Sequence, residues 1–286
     1  MILNMKDLLE VAKNKGFAVP AFNISDYSMF NGIMEICEEE NAPVIIAIHP
    51  DELRHITSEM VKGIRGRIIY SKIPAVIHLD HGASIDQIMK AIQAGFTSVM
   101  IDGSLLKYED NVSICKKVCE LAHSVNVSVE GELGTIGNTD SVETTAPEDI
   151  LYTNPDQAYD FSQRTKIDCL AIAIGTCHGI YPKDKIPELR IDILDEIKKR
   201  VSIPLVLHGG SSNKDSEIEK AVEHGVNKIN ISSDIKVAYY NRMREVLKDT
   251  SLREPNVIQP PCVEEMKKVA LHKIKLFRAD NMASFY

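Results

Sequence analysis

The chain has 286 residues, with 33 Lys and Arg against 41 Asp and Glu, nine His, and hydrophobic and charged fractions of 44% and 26%. That apolar content excludes a disordered chain, which lacks the surface whose burial offsets ordering entropy. The net charge of −8 argues against a nucleic-acid partner held by bulk positive charge. The length suits two average domains or one α/β barrel of about 250 residues, and the order of the apolar runs decides between them.

In chain order, MILNMKDLLEVAKNKG comes first, and acids and lysines interrupt each of its apolar stretches. A signal peptide needs an apolar core of about 7–15 residues, so a cytoplasmic protein is expected. No window approaches the roughly 18 apolar residues of a membrane span. Eight short apolar runs follow, at 18–22, 44–48, 75–80, 98–101, 127–130, 169–175, 205–208 and 228–231. VIIAI, CLAIAIG and PLVL are apolar throughout, as parallel strands buried on both faces are.

Helical patterns lie between the runs. In SIDQIMKAIQAG, Ile85, Ile88, Met89 and Ile92 share a face and Gly95 stands at the C-cap. In SEIEKAVEHG, Ile218, Ala221 and Val222 repeat the device before Gly225. Eight strand–helix units without a Gly/Ser/Pro-rich linker predict one domain over residues 1–286, an α/β chain folded as a (β/α)8 TIM barrel. Two segments break the alternation. Residues 134–154 form a long loop after strand five, of the kind that is usually functional. Residues 260–286 hold a helical tail, VEEMKKVALHKIKLF, that would cover the barrel or pack on a partner subunit. The six cysteines form no CxxC pair and read as reduced and buried, with a thiol nucleophile at Cys177 as the alternative.

Catalytic groups of such barrels project from the C-terminal ends of strands. The third strand ends HLDHG, the sixth GTCHG and the seventh LHGGSS, which brings Asp80, His81, His178 and His208 to one mouth. Three histidines there make an open metal site with a position left for substrate. His78 reads as packing or as support for the ligands, and His55, His123, His224 and His272 as solvated. HGGSS and NISSD each lead into a helix, 214–223 and 234 onward, and offer Gly209, Gly210, Ser211, Ser232 and Ser233 at helix N-termini. Free amides and the helix dipole there suit a phosphate. A metal beside a phosphate suits carbon–carbon cleavage of a phosphorylated ketone, with the ion stabilising an enediolate and Asp80 moving the proton on the other side of the bond. A Schiff-base lysine is the rival route. No lysine ends a strand, since Lys228 begins the eighth.

At this point the chain resembles the class II, zinc-dependent ketose-bisphosphate aldolases, close to the tagatose/fructose-bisphosphate branch. The matching motifs are AVPAFNI (18–24), APVIIA (42–47), HLDHG (78–82), VMIDGS (99–104), VSVEGELG (127–134), IGTCHGIY (174–181), PLVLHGGSS (204–212) and KINISSDIK (228–236). They occur in family order and cover nearly the whole chain. The resemblance implies Zn2+ held by His81, His178 and His208, with Glu132 as an alternative ligand, and Asp80 as acid/base. It implies Asn23, Gly179, Gly209, Gly210, Ser211, Asn230, Ser232 and Ser233 around the dihydroxyacetone-phosphate half of a sugar phosphate. The glycine and serine carbonyls there would also suit a monovalent cation, Na+ or K+. Relatives are homodimers or homotetramers.

Three departures stand out. The family's loop Gly-Gly-x-Glu-Asp is Gly137-Asn138-Thr139-Asp140-Ser141, so a catalytic Asp140 aligns with the Glu but is one methylene shorter. After strand two, IHPDEL puts His49, Asp51 and Glu52 where relatives with a distal phosphate have small residues; two acids are poor company for a dianion. Ser232 replaces the Asp, Asn or Ala of relatives. The expected activity is reversible cleavage of a ketose 1,6-bisphosphate or ketose 1-phosphate, with an aldehyde lacking the distal phosphate as the alternative. A metal-dependent hydrolase and a non-catalytic sugar-phosphate sensor are the readings from other classes; the first leaves the phosphate loops unexplained, and the second would be expected to have lost ligands or Asp80.

Overall fold

A computed structural model describes the chain except residues 136, 139–150 and 180–187 and the side chains of residues 137, 138 and 178. Its strands are β1 (Val19–Asn23), β2 (Val44–Ile48), β3 (Ala75–Gly82), β4 (Ser98–Ile101), β5 (Ser128–Leu133), β6 (Gly137–Asn138), β7 (Cys169–Ile172), β8 (Cys177–His178), β9 (Leu205–Leu207) and β10 (Val226–Ile231). Eight of them close a barrel in the order β1-β2-β3-β4-β5-β7-β9-β10, with β10 pairing back to β1, while β6 and β8 pair with each other in a separate two-stranded sheet. Every barrel pairing is parallel. These strands are the eight apolar runs. They lie between the core of the barrel and the helices outside, so apolar residues are needed on both faces.

Most of these strands differ in a bound by one to three residues from those expected, and two of the differences change where a residue stands. The sixth run, expected to reach residue 175, leaves the sheet after Ile172, and Gly175 turns the chain with φ +123°. The eighth strand begins two residues early, so Lys228 stands inside it rather than at its start.

The helices are α1 (Met5–Lys15), α2 (Tyr27–Glu39), α3 (Pro50–Ile69), α4 (Ile85–Ala94), α5 (Tyr108–His123), α6 (Pro155–Thr165), α7 (Ile191–Arg200), α8 (Asp215–Glu223), α9 (Ser233–Val246) and α10 (Pro255–Leu276). The first is additional to the strand–helix units. It buries Met5, Leu8, Leu9 and Ala12 and closes the N-terminal end of the barrel, where the Lys6 N–H donates to Ser128 Oγ at 3.0 Å. α4 starts on a Ser84 cap and stops on Gly95 at φ +104°, but its buried face centres on Ile88, Ala91 and Ala94 rather than on Met89. The tail helix begins at Pro255, ahead of the expected start, and runs through Pro260 and Pro261. Interior prolines cost a helix hydrogen bonds; here Cys262, Met266, Ala270 and Ile274 bury against α2 and α9 and hold it in place. All six cysteines are buried.

Candidate active site

The C-terminal ends of the strands open into a cavity of about 630 Å3. Adjacent residues of a regular strand face opposite sides, so Asp80 and His81 could not both look into it from an ideal β3. A register shift between Leu79 and Gly82 and a left-handed His81, φ +55°, resolve this. Such a bulge re-aims one side chain, and both residues line the cavity.

Asp80 is buried and held from two sides. Asn23 Nδ2 donates to its Oδ2 at 2.8 Å and Asn230 Nδ2 to its Oδ1 at 3.0 Å. Burial alone would raise its pKa, but His81, His208, Lys228 and His78 outweigh burial and hold the carboxyl well below the usual range.

Of the three expected ligand histidines, the two with described side chains are each oriented by a carboxylate. His81 Nδ1–H donates to Asp102 Oδ2 at 2.9 Å, and Asp102 is fixed in turn by the Ser104 hydroxyl at 2.7 Å. His208 Nε2–H donates to Glu130 Oε1 at 2.7 Å. With one N–H of each ring so directed, His81 Nε2 and His208 Nδ1 are left facing each other at 3.0 Å, a contact that needs a positive charge, either a proton on His81 or a metal ion.

The surroundings favour a positive charge. Burial pushes the His81 pKa down, but Asp80, Asp102 and Glu132 overcome it and raise it to about 10. Glu132 is buried, its Oε2 has no hydrogen-bond partner among the described residues, and burial raises its pKa to about 8. Ligand atoms of Asp80, His81 and His208 lie within 4.8 Å of one another, as do those of His81, Asp102 and Glu132. These residues fit a divalent metal ion whose histidines are braced by carboxylates, as metal ligands usually are. The backbone of His178 lies in β8, in register with Asn138, and its side chain and Asp140 fall outside the described residues.

The two Gly/Ser loops after β9 and β10 adjoin this cluster. Gly179, Gly209, Ser211, Asn230, Ser232 and Ser233 line the same cavity. Gly210 faces β10 instead, its N–H donating to the Asn230 carbonyl at 3.1 Å. Ser232 caps α9 without a side-chain cap bond. The Ser211 hydroxyl accepts from the Asp234 N–H at 3.2 Å, and Asp234 pairs with Lys273 of α10 at 2.9 Å. The tail helix thus braces the Ser211 loop. The fit to a monovalent cation is poor, because Asn213 Nδ2 already donates to the Gly209 carbonyl at 2.6 Å and to the Ser211 carbonyl at 3.0 Å.

His49, Asp51 and Glu52 line the cavity together with Lys236. His49 is the N-cap of α3 and its ring lies 6.3 Å from that of His81. Asp51 is mostly exposed and pairs with Arg54. Glu52 accepts from the His49 N–H at 3.0 Å, from Ser25 Oγ at 3.1 Å and from Lys236 Nζ.

Sequence reasoning gave no role to Asp102, Glu130, Lys228 or Lys236. Lys228 Nζ bonds Glu130 Oε2 at 2.6 Å inside the barrel, which removes it as a Schiff-base lysine. The i, i+2 pairs Glu130/Glu132 and Lys228/Asn230 on one face of their strands were the available signal. Of the remaining histidines, His78 is fully buried, and His123, His224 and His272 are partly exposed and pair with Asp168, Asp195 and Asp215.

The sequence profile of the family described as "Fructose-bisphosphate aldolase class-II" matches residues 3–282. A Staphylococcus aureus (strain Mu50) protein named fructose-bisphosphate aldolase is 38% identical over 288 aligned positions, covering 99% of each chain. A Staphylococcus epidermidis protein of the same name is 37% identical with the same coverage. Among solved structures, the YdjI aldolase from Escherichia coli K12 superposes with a TM-score of 0.86 at 30% identity over 98% of each chain. Family, relatives and fold agree, and the enzyme is an aldehyde-lyase: the chain belongs to the class-II fructose-bisphosphate aldolase family, whose members depend on a metal.

Proposed function

We propose that this is a zinc-dependent aldolase that reversibly cleaves a ketose 1,6-bisphosphate, tagatose- or fructose-type, or a related ketose 1-phosphate, into dihydroxyacetone phosphate and an aldehyde. The observation that carries the reading is the pair of facing nitrogens on His81 and His208, 3.0 Å apart, beside the anionic Asp80. The relatives named fructose-bisphosphate aldolase support the bisphosphate form.

A bound divalent ion supplies Lewis acidity for the ketone half of the substrate. The chain's own residues do the rest. Asp80 takes the hydroxyl proton on the aldehyde side in cleavage and returns it in condensation, with Asn23 and Asn230 keeping both its oxygens in place. Ser211, Ser232, Ser233 and the amides at the start of α9 hold the phosphate. His178 completes the ligand set, and Asp140 moves the proton on the ketone side.

The second reading, an aldehyde without a distal phosphate, is favoured by Glu52. Its carboxylate lines the cavity and ties up Lys236, the cation that a distal phosphate would seek.

The test is condensation of dihydroxyacetone phosphate with phosphorylated and neutral aldehydes, with and without chelator. Expected is turnover abolished by chelator and restored by zinc; activity indifferent to chelator overturns the metal role. Asp80→Ala should lose about 10²–10⁴-fold in rate while keeping its metal. Loss of the metal instead would make Asp80 a ligand.

A further inference from the structure

We propose that Asn213 takes the place of a monovalent cation in the phosphate loop, so that this aldolase works equally well without Na+ or K+. The inference rests on the reading of HGGSS as a phosphate site. Gly209 and Ser211 turn their carbonyls toward one point, and the Asn213 amide nitrogen sits on it, 2.6 Å from one oxygen and 3.0 Å from the other. Two carbonyl dipoles converging in a buried place need a positive partner. A primary amide has two N–H donors, and both are used here. The amide orientation is fixed, because a flipped Asn would press its own oxygen against both carbonyls. Asn213 is buried and keeps this orientation although its Oδ1 has no partner among the described residues, so the two carbonyls select the donor.

The rest of the loop is closely held. Gly209 has φ +64° and lies hard against the Cys177 carbonyl, Ser212 has φ +59°, and the Ser211 hydroxyl is tied to the first turn of α9. The Gly210 N–H donates to the Asn230 carbonyl and the Ser212 N–H to the Asp234 carboxylate, so what Asn213 sets by drawing back the Gly209 and Ser211 carbonyls is the course of the loop past the cavity that these two residues line. A cation would do the same by charge and would have to displace the amide to do so. Asn213 is accordingly a positioning residue that acts on the phosphate through the loop backbone.

Inorganic phosphate binding to the full chain is measured by calorimetry in KCl, NaCl and tetramethylammonium chloride at equal ionic strength, alongside the Michaelis constant for dihydroxyacetone phosphate. The wild type is expected to bind equally, within about twofold, in all three salts. Asn213→Val removes both donors and should weaken phosphate about tenfold in tetramethylammonium. K+ or Na+ should then restore several-fold of that loss, a rescue that a merely structural role would not give. Asn213→Asp, which keeps the shape but cannot donate, should show the same cation dependence if the valine variant does not fold. Phosphate binding in the wild type that requires K+ or Na+ overturns the proposal alone, and so does a variant that binds as the wild type does in every salt. Failure of the wild type to bind phosphate in any salt overturns the phosphate-loop reading, and the proposal with it.

Discussion

The ammonium nitrogen of Lys228 lies 2.6 Å from Glu130 Oε2, both side chains fully buried in the barrel two residues below Asn230 and Glu132 on their strands. The other Glu130 oxygen receives the His208 ring proton at 2.7 Å. A buried ion pair thus orients a histidine of the mouth. Burial would raise the Glu130 pKa, but Lys228, His208 and His78 overcome it and keep the carboxylate charged.

Glu130→Leu should strand the Lys228 charge and lower unfolding stability by about 3–5 kcal/mol, read from denaturant titration of the metal-free protein. Adding Lys228→Met should recover most of that loss. Metal affinity, read by competition with a chelator, should stay about 10–100-fold weaker in both variants, because His208 has lost its acceptor in each. Recovery of affinity in the double variant would separate the ion pair from the site.

Glu52→Gln keeps the α3 capping box, in which Gln serves as well as Glu, but removes the charge that holds Lys236. The ratio of kcat/KM for a phosphorylated over a neutral aldehyde should rise about tenfold, the equivalent of about 1.4 kcal/mol. An unchanged ratio takes Glu52 out of aldehyde selection.

His78 gives the barrel an acid-sensitive floor. Burial, with Lys228 adding to it, pushes its pKa down from 6.5 to about 3. Between those values the unfolded chain holds one more proton than the folded one. Its contribution to stability is therefore complete above pH 6.5 and falls by up to about 1.4 kcal/mol per pH unit as the pH drops toward 3. Denaturation midpoints of the wild type should fall more steeply from pH 6.5 to 4.5 than those of His78→Asn. Parallel slopes would place the acid sensitivity elsewhere.

Gly209→Ala introduces a Cβ that would lie 2.3 Å from the Cys177 carbonyl oxygen, at a φ of +64° that side chains adopt at a cost. Neither atom belongs to a flexible side chain, so the loop itself must move. The Michaelis constant for dihydroxyacetone phosphate should rise at least about tenfold, a shift near 1.4 kcal/mol, with the far-ultraviolet spectrum unchanged. A variant with the wild-type constant would show that the loop backbone does not shape the phosphate site.

The strand–helix alternation was legible because it is local. Apolar runs of strand length, the Ile88 face of α4 and the stop at Gly95 follow from side-chain geometry within a few residues, whatever the rest of the chain does. The strand-end motifs were legible for a related reason: HLDHG and LHGGSS put polar groups where a buried strand must stop. Residues 139–150, which include Asp140, lie outside the described residues.

The sequence by itself determined that eight parallel strands would close one barrel and that Asp80, His81 and His208 would stand at its mouth. It could not decide how they would be aimed. The left-handed His81 that turns two neighbouring residues to one side depends on how β3 slips against β4. Lys228 and Glu130 meet across 98 residues of chain, and the Asn213 amide meets its two carbonyls only because the loop folds back on itself. Local sterics set the period of an element, whereas the partner of a buried charge or amide is chosen by closure of the whole barrel, and only the tertiary structure carries that choice.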